Sequence, residues 1–332
     1  MRMLEGGIGE EGPRLKVLFD EAARRRALME EARAGLTAMP KALSPRWLYD
    51  ERGSLLFEEI TRLEVYYPTR RERAILRAYA REIARLTRAE TLVELGSGTS
   101  EKTRMLLTAL SDLGTLRRFV PFDVSAATLR ASMTRLRRDY PHLLLEGVVG
   151  DFEHHLQAIR GDDRRLIAFL GGTIGNLEPA PRARFLREVA RTMKVGDALL
   201  LGTDLVKARE RLLAAYDDPE GVTAAFNLNV LYVLNRELGA RFDVPRFEHR
   251  VRFDEERAWI EMSLRSRCAQ VVPVTALGLQ VPFAEGEALR TEISAKFRPE
   301  QVQAELAAAG LRMMDWWTDD GGEFGVSLST RR

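Results

Sequence analysis

The sequence predicts an α/β protein built on a mostly parallel sheet covered on both faces, with a second, smaller α+β portion inserted into it. Three observations carry this. From residue 71 onward, short apolar segments alternate with longer amphipathic ones, the pattern of βαβ units. A glycine turn, Gly96-Ser97-Gly98, stands where the first apolar segment meets the next helical one. The alternation stops after Leu205, and a helix and hairpin close the chain from about residue 297.

In chain order, residues 15–39 place apolar side chains at mixed three- and four-residue spacing among Arg and Glu, which predicts one amphipathic helix. Residues 41–69 are broken by Pro45, Gly53 and Pro68 and rich in Trp47, Tyr49, Phe57, Tyr66 and Tyr67, as suits a cap of short helices and loops. Strands are predicted at 91–96, 118–123, 144–150, 166–171 and 197–204, separated by helices ending at about 110 and at 126–140, 152–160 and 181–193. Apolar strands of this kind are buried on both faces. Residues 207–238 read as largely helical, followed by antiparallel strands around 246–253, 258–272 and 287–297. Pro299 suits a first helical turn and Gly310 a stop, and residues 311–318 and 323–330 form a hairpin that completes the first sheet.

Composition narrows the function. The 332 residues carry 51 Lys and Arg against 49 Asp and Glu, a net charge of +2, which lacks the broad basic footprint of non-specific nucleic-acid binding. Arg130, Arg135, Arg137 and Arg138 read as a solvated helix face rather than an RNA site. Cys268 is the single cysteine, so no internal disulfide and no zinc ribbon are expected. His142, His154, His155 and His249 lack metal-ligand spacing, and no metal is expected. No apolar run approaches the roughly 20 residues that span a bilayer, and residues 1–13 have no apolar signal core. A cytoplasmic monomer with a flexible start is expected.

The glycine turn offers free helix amides to a ligand. A dinucleotide fingerprint would place a third glycine at position 101, where this chain has Glu101, a carboxylate that repels a pyrophosphate. A nucleoside ligand without phosphates fits better. The pattern for S-adenosylmethionine (SAM) is an acid before Gly-x-Gly and acids ending the next two strands; Glu94, Asp123 and Asp151 stand there. Asp123 can accept both ribose hydroxyls, Asp151 the adenine amino group, and Phe152 offers a ring to the purine.

Residues 92–103 (Leu-Val-Glu-Leu-Gly-Ser-Gly-Thr-Ser-Glu-Lys-Thr) and 169–177 (Phe-Leu-Gly-Gly-Thr-Ile-Gly-Asn-Leu) closely resemble the histidine Nα-methyltransferases of ergothioneine biosynthesis. The resemblance runs from about residue 40 to the C-terminus, with matching segments at 50–57 and 290–297. It implies a Rossmann-like class I SAM-dependent methyltransferase sheet (71–206 plus 297–332) with a second, smaller α+β substrate-binding domain (14–70 plus 207–296). It also implies trimethylation of the histidine α-amine to hercynine, with S-adenosylhomocysteine as by-product. By resemblance, Gly96 and Lys102 hold the methionine amine and carboxylate, Asp123 the ribose, and Asp151 with Phe152 the adenine, while Tyr66 lines that pocket. Asn176 and Tyr216 take the histidine carboxylate, Tyr49 and Asn176 the α-amine, and Glu292 and Ser294 the imidazole, with Phe226 and Met262 as apolar walls. Tyr49 and Asn176 stand nearest the chemistry. Glu292 and Ser294 are two apart, so an extended strand projects both from one face. The competing readings are a methyltransferase for another aromatic amino acid or small amine, and a SAM-binding module without catalysis.

Overall fold

The computed structural model describes residues 14–159 and 161–331. The expectation for residues 1–13 lies outside them. The first described elements are β1 (Arg14–Val17) and α1 (Glu21–Thr37), where one helix over 15–39 was expected. β1 pairs in parallel with β5 (Leu144–Val149), from Arg14 beside Glu146 to Val17 beside Val149. Four residues are too few to reveal a period of two, and what makes them a strand is a distant sheet edge. Asp20 then starts α1 by accepting from the amide of Ala23 at 2.7 Å, a helix cap. Beyond α1 come β2 (Lys41–Ala42), a 3-10 turn at Pro45–Leu48, α2 (Glu51–Ile60) and α3 (Tyr67–Thr87).

The predicted alternation follows as β3 (Thr91–Leu95), α4 (Arg104–Asp112), β4 (Arg118–Asp123), α5 (Ala126–Asp139), β5, β6 (Arg165–Phe169), α6 (Pro179–Thr192) and β7 (Ala198–Asp204). The helix expected at 152–160 is a single 3-10 turn, Leu156–Ile159. Its start is captured by side chains: Asp151 accepts from the amide of Glu153 at 2.9 Å and the His155 ring from the amide of Asp151 at 3.1 Å. Such local bonds compete with a helical start.

After β7 come α7 (Arg209–Tyr216), α8 (Val222–Leu238), β8 (Phe247–Asp254), β9 (Trp259–Ser266), β10 (Gln270–Val274), β11 (Leu279–Phe283) and β12 (Ala288–Ala295). The single strand expected over 258–272 is thus two, β9 and β10, broken by a turn. The chain closes with α9 (Pro299–Ala308) and the hairpin β13 (Leu311–Thr318) and β14 (Phe324–Arg331).

The main sheet has the order β1-β5-β4-β3-β6-β7-β14-β13, with parallel pairing throughout except that β14 runs antiparallel to both β7 and β13. Apolar clusters cover its two faces. A separate cluster joins Leu28, Trp47 and Tyr67 to Phe226, Val230, Ile260 and Leu289, so segments near both ends of the numbering share one core. Within it lies the second sheet, β2-β12-β9-β8.

One junction positions everything that follows. Past β12, the amide of Phe297 donates to the carbonyl of Asp204 at 2.8 Å, and that of Val206 to Phe297 at 3.0 Å, which joins the end of β12 to the carboxyl end of β7. On β12, Ile293 is buried against Trp259 and Phe297, a burial contributing roughly 1.5–3 kcal/mol. The register is therefore held from the apolar side while Glu292 and Ser294 project from the other, and a bulge between Arg290 and Glu292 re-aims that side.

Candidate active site

A cleft of about 1190 Å³ opens at the carboxyl ends of β3, β4, β5 and β6, with β12 and residues of the 31–73 stretch facing them. This is where ligands sit in parallel α/β sheets. Tyr49, Tyr66, Gly96, Lys102, Asp123, Asp151, Phe152, Asn176 and Glu292 all line it. The other four expected residues, Tyr216, Phe226, Met262 and Ser294, do not; they are buried behind that wall.

The glycine turn is built for backbone shape. Gly96 and Gly98 have φ of +67° and +49°, and a side chain on either would meet nothing within 4 Å, so conformation and not crowding requires glycine. Asp123 ties the turn down: its Oδ2 accepts from the amide of Gly98 and its Oδ1 from that of Ser125, both at 2.9 Å. Burial raises the Asp123 carboxyl and these amides oppose the rise. Each oxygen keeps a lone pair for a ligand hydroxyl. Glu94 is buried behind the turn; Thr103 donates to its Oε1, while Oε2 has no hydrogen-bond partner among the described residues. Burial pushes the Glu94 carboxyl up to about 7, against the pull of Thr103 and Lys102.

Two partners in this half escaped the sequence. Lys102 is paired with Glu72, a fully buried carboxylate on α3. Asp151 is paired with Arg46, whose guanidinium also reaches Glu31 at 2.7 Å and lies 4.6 Å over the Trp47 ring. Glu72 sits among Arg70, Arg71 and Arg73, a run indistinguishable from a solvated face. Phe152 packs edge-on against Phe169 at 5.2 Å and Phe185 at 5.6 Å, which holds its ring at the cleft wall.

In the other half, Asn176 ends a 3-10 turn, Thr173–Asn176, after β6. Gly175 lets this turn touch β12, since a Cβ there would lie 2.8 Å from the carbonyl oxygen of Ala295. Glu292 is buried with no hydrogen-bond partner on Oε2 among the described residues, and burial pushes it up to about 8 although Lys296 pulls it down. Met262 is its cross-strand neighbour on β9. The Tyr49 ring lies 5.2 Å from Phe226 and 5.3 Å from Phe57, both edge-on, and Tyr66 lies 6.1 Å from Tyr216. Burial, then the charge of Glu292, raises the Tyr49 phenol well above its ordinary value, so it stays protonated.

Behind Glu292, the Tyr216 hydroxyl and Ser294 Oγ are 2.7 Å apart, and Lys296 Nζ donates to both, at 2.9 and 2.8 Å. Lys296 was also missed, yet its signal was available: it continues the row Glu292, Ser294, Lys296 at every second residue. His249 supports the same tyrosine from its backbone, its Nε2 3.0 Å from the Tyr216 carbonyl oxygen and its Nδ1 2.8 Å from Asn227. Among the described residues, no group of three or more His, Cys, Asp or Glu is placed to hold a metal ion, and no helix is long and apolar enough to cross a membrane.

Residues 28–331 match the family described as histidine-specific methyltransferase, SAM-dependent. The chain is 58% identical over 312 residues to the histidine N-alpha-methyltransferase of Mycolicibacterium smegmatis, covering 94% of this chain and 97% of that one. Against the protein of the same name from Mycobacterium tuberculosis it is 57% identical over 311 residues, with the same coverage of both chains. It is 34% identical to ergothioneine biosynthesis protein 1 of Schizosaccharomyces pombe over 63% of this chain and 29% of that one.

Proposed function

The chain belongs to the histidine-specific, SAM-dependent methyltransferases, and from that membership we propose that it transfers three methyl groups from SAM to the α-amine of L-histidine, giving hercynine. The name of the fission-yeast relative supports a place at the first step of ergothioneine biosynthesis. One observation carries the histidine reading: a buried, protonatable carboxyl, Glu292, with an unpartnered oxygen beside Tyr49 and Asn176. A buried polar atom without a partner is costly, and an imidazole nitrogen supplies one.

The cleft exceeds the roughly 300–1000 Å³ of a site for one drug-sized ligand, so a nucleoside and an amino acid fit together. The donor set fits SAM: Asp123 has free lone pairs for the ribose and Phe152 a fixed ring for the adenine beside Asp151. Lys102 faces the methionine carboxylate, with Gly96 at the amine and Tyr66 alongside. When bound, SAM supplies an electrophilic methyl on a good leaving group.

The protein's contribution is alignment, because an in-line displacement needs the amine about 3 Å from the methyl and on its axis. Asn176 and Tyr216 hold the substrate carboxylate, and Tyr49 with Asn176 holds the amine. With its phenol protonated, Tyr49 orients the amine and is not a standing base. The rings of Tyr49 and Phe57, backed by Phe226, accommodate a growing, finally permanent cation. The test is to incubate the protein with SAM and a panel of amino acids and read product masses. Up to three added methyl groups on histidine alone is the expected result; no transfer to histidine ends the proposal.

A further inference from the structure

Lys296 is buried with no exposed side-chain surface, and its three N–H groups are all engaged: Asp204 Oδ2 at 2.8 Å, Tyr216 Oη at 2.9 Å and Ser294 Oγ at 2.8 Å. An ammonium has three donors and no acceptor. Asp204 is held separately by Tyr67, at 2.8 and 3.0 Å, and by Lys207, at 2.6 Å. Burial alone would raise the Asp204 carboxyl, but Lys296 and Lys207 bring it below its ordinary value, so Asp204 stays ionised.

This arrangement constrains two hydroxyl hydrogens. Both oxygens already accept from Lys296, and at 2.7 Å one hydroxyl must donate to the other. We propose that Lys296 is a positioning residue for substrate recognition: by donating to both oxygens it occupies one lone pair on each, so that the Tyr216–Ser294 pair, already sharing one hydrogen between them, has one hydrogen and one lone pair left for a bound amino acid. The proposal rests on the reading above and requires the substrate to reach behind the cleft wall, where Tyr216 and Ser294 keep 6% and 5% of their surface exposed, with its carboxylate at Tyr216 and its imidazole at Ser294. A carboxylate only accepts, so Tyr216 gives it the hydrogen and Ser294 donates to Tyr216. Ser294 then has only a lone pair left, which accepts from a ring N–H, while Glu292 takes the other ring nitrogen. An aromatic ring without an N–H meets an unmatched acceptor, so the charge on Lys296 is converted into discrimination at a ring it does not touch.

The test is a double-mutant cycle on KM for histidine. Transfer to histidine by the unsubstituted chain is measured first; its absence removes the substrate reading itself. Lys296→Met removes all three of the ammonium's bonds and is expected to raise KM for histidine roughly 10–100-fold, on the scale of one charged hydrogen bond felt at the substrate, with SAM affinity within about twofold of the unsubstituted chain. Tyr216→Phe raises KM as well. In the double variant the two effects fall well short of multiplying, since Lys296 acts through Tyr216 and Ser294. Full multiplication, an unchanged KM in Lys296→Met, or a parallel loss of SAM affinity would overturn the role of Lys296 and leave the histidine reading standing. Should Lys296→Met not fold, the cycle of Tyr216→Phe with Ser294→Ala decides: coupling upholds the shared hydrogen and full multiplication rejects it.

Discussion

Lys102 and Glu72 form one unit across the cofactor end of the cleft: the ammonium pairs with Glu72 Oε2 while Glu72 Oε1 accepts from the amide of Gly171 at 2.7 Å. Glu72 therefore couples the first turn after β3 to the turn after β6, the two segments that flank the reacting centre. Lys102 is held in place before any ligand arrives.

Glu72→Gln keeps the volume and removes the charge. The variant is expected to bind SAM about 10–100-fold more weakly, on the scale of one charge-assisted bond, with a lowered Tm because part of a buried pair is lost. Calorimetric titration with SAM checks this; unchanged affinity would mean that Lys102 needs no orienting partner.

Glu292 gives a pH signature. Its folded value of about 8 lies above the ordinary carboxyl range near 4.3. Between those values the folded chain holds a proton that the unfolded chain has lost, so this group's contribution to stability declines as pH rises through the window. Glu292→Gln lacks the decline, and its Tm relative to the unsubstituted protein should climb from pH 5 to pH 9. Glu94, raised to about 7, acts in the same sense and is common to both proteins. A pH-independent Tm difference would contradict the burial of a titrating Glu292. In kinetics, Glu292→Ala should raise KM for histidine strongly and relax discrimination against other aromatic amino acids.

Asp123→Ala releases the amides of Gly98 and Ser125 as well as the ligand contacts. SAM affinity should fall at least about tenfold, with KM for histidine at saturating SAM changed far less. Equal effects on both ligands would place Asp123 in the general support of the cleft.

Gly175→Ala tests the contact between the turn of Asn176 and β12. The new methyl would meet the Ala295 backbone, so the turn must move away from the strand bearing Glu292. A loss of about 1–3 kcal/mol in stability is expected from overpacking, measured by denaturant unfolding, together with a reduced kcat/KM for histidine. Full activity with normal stability would show that the turn shifts freely.

Legibility followed the range of the interaction. Strands β3 to β7 could be read because a doubly buried strand is an uninterrupted apolar run bounded by turns. β1 could not, because its partner lies some 130 residues away and four residues have no period of their own. The expected helix after Asp151 lost to local side-chain bonds, whose strength no hydrophobic pattern reports. Among the site residues, those on strand ends and the glycine turn carry a local motif. Glu72 and Arg46 do not, being ordinary charged helix and turn residues until folding sets them against Lys102 and Asp151.

By itself the sequence determined the chemistry available to this protein: an acid, glycine turn and acid series at successive strand ends, and a Glu-x-Ser pair on one strand face. Each depends only on residue type and backbone period. Which of these groups face one another was decided by tertiary structure alone. The junction of β12 with β7 brings Glu292 and Asn176 into one cleft, and a single buried ammonium binds Tyr216, Ser294 and Asp204 from three elements. The reason is physical: hydrogen-bond satisfaction and desolvation are fixed by distances between side chains far apart in sequence, and those distances exist only once the two sheets have packed.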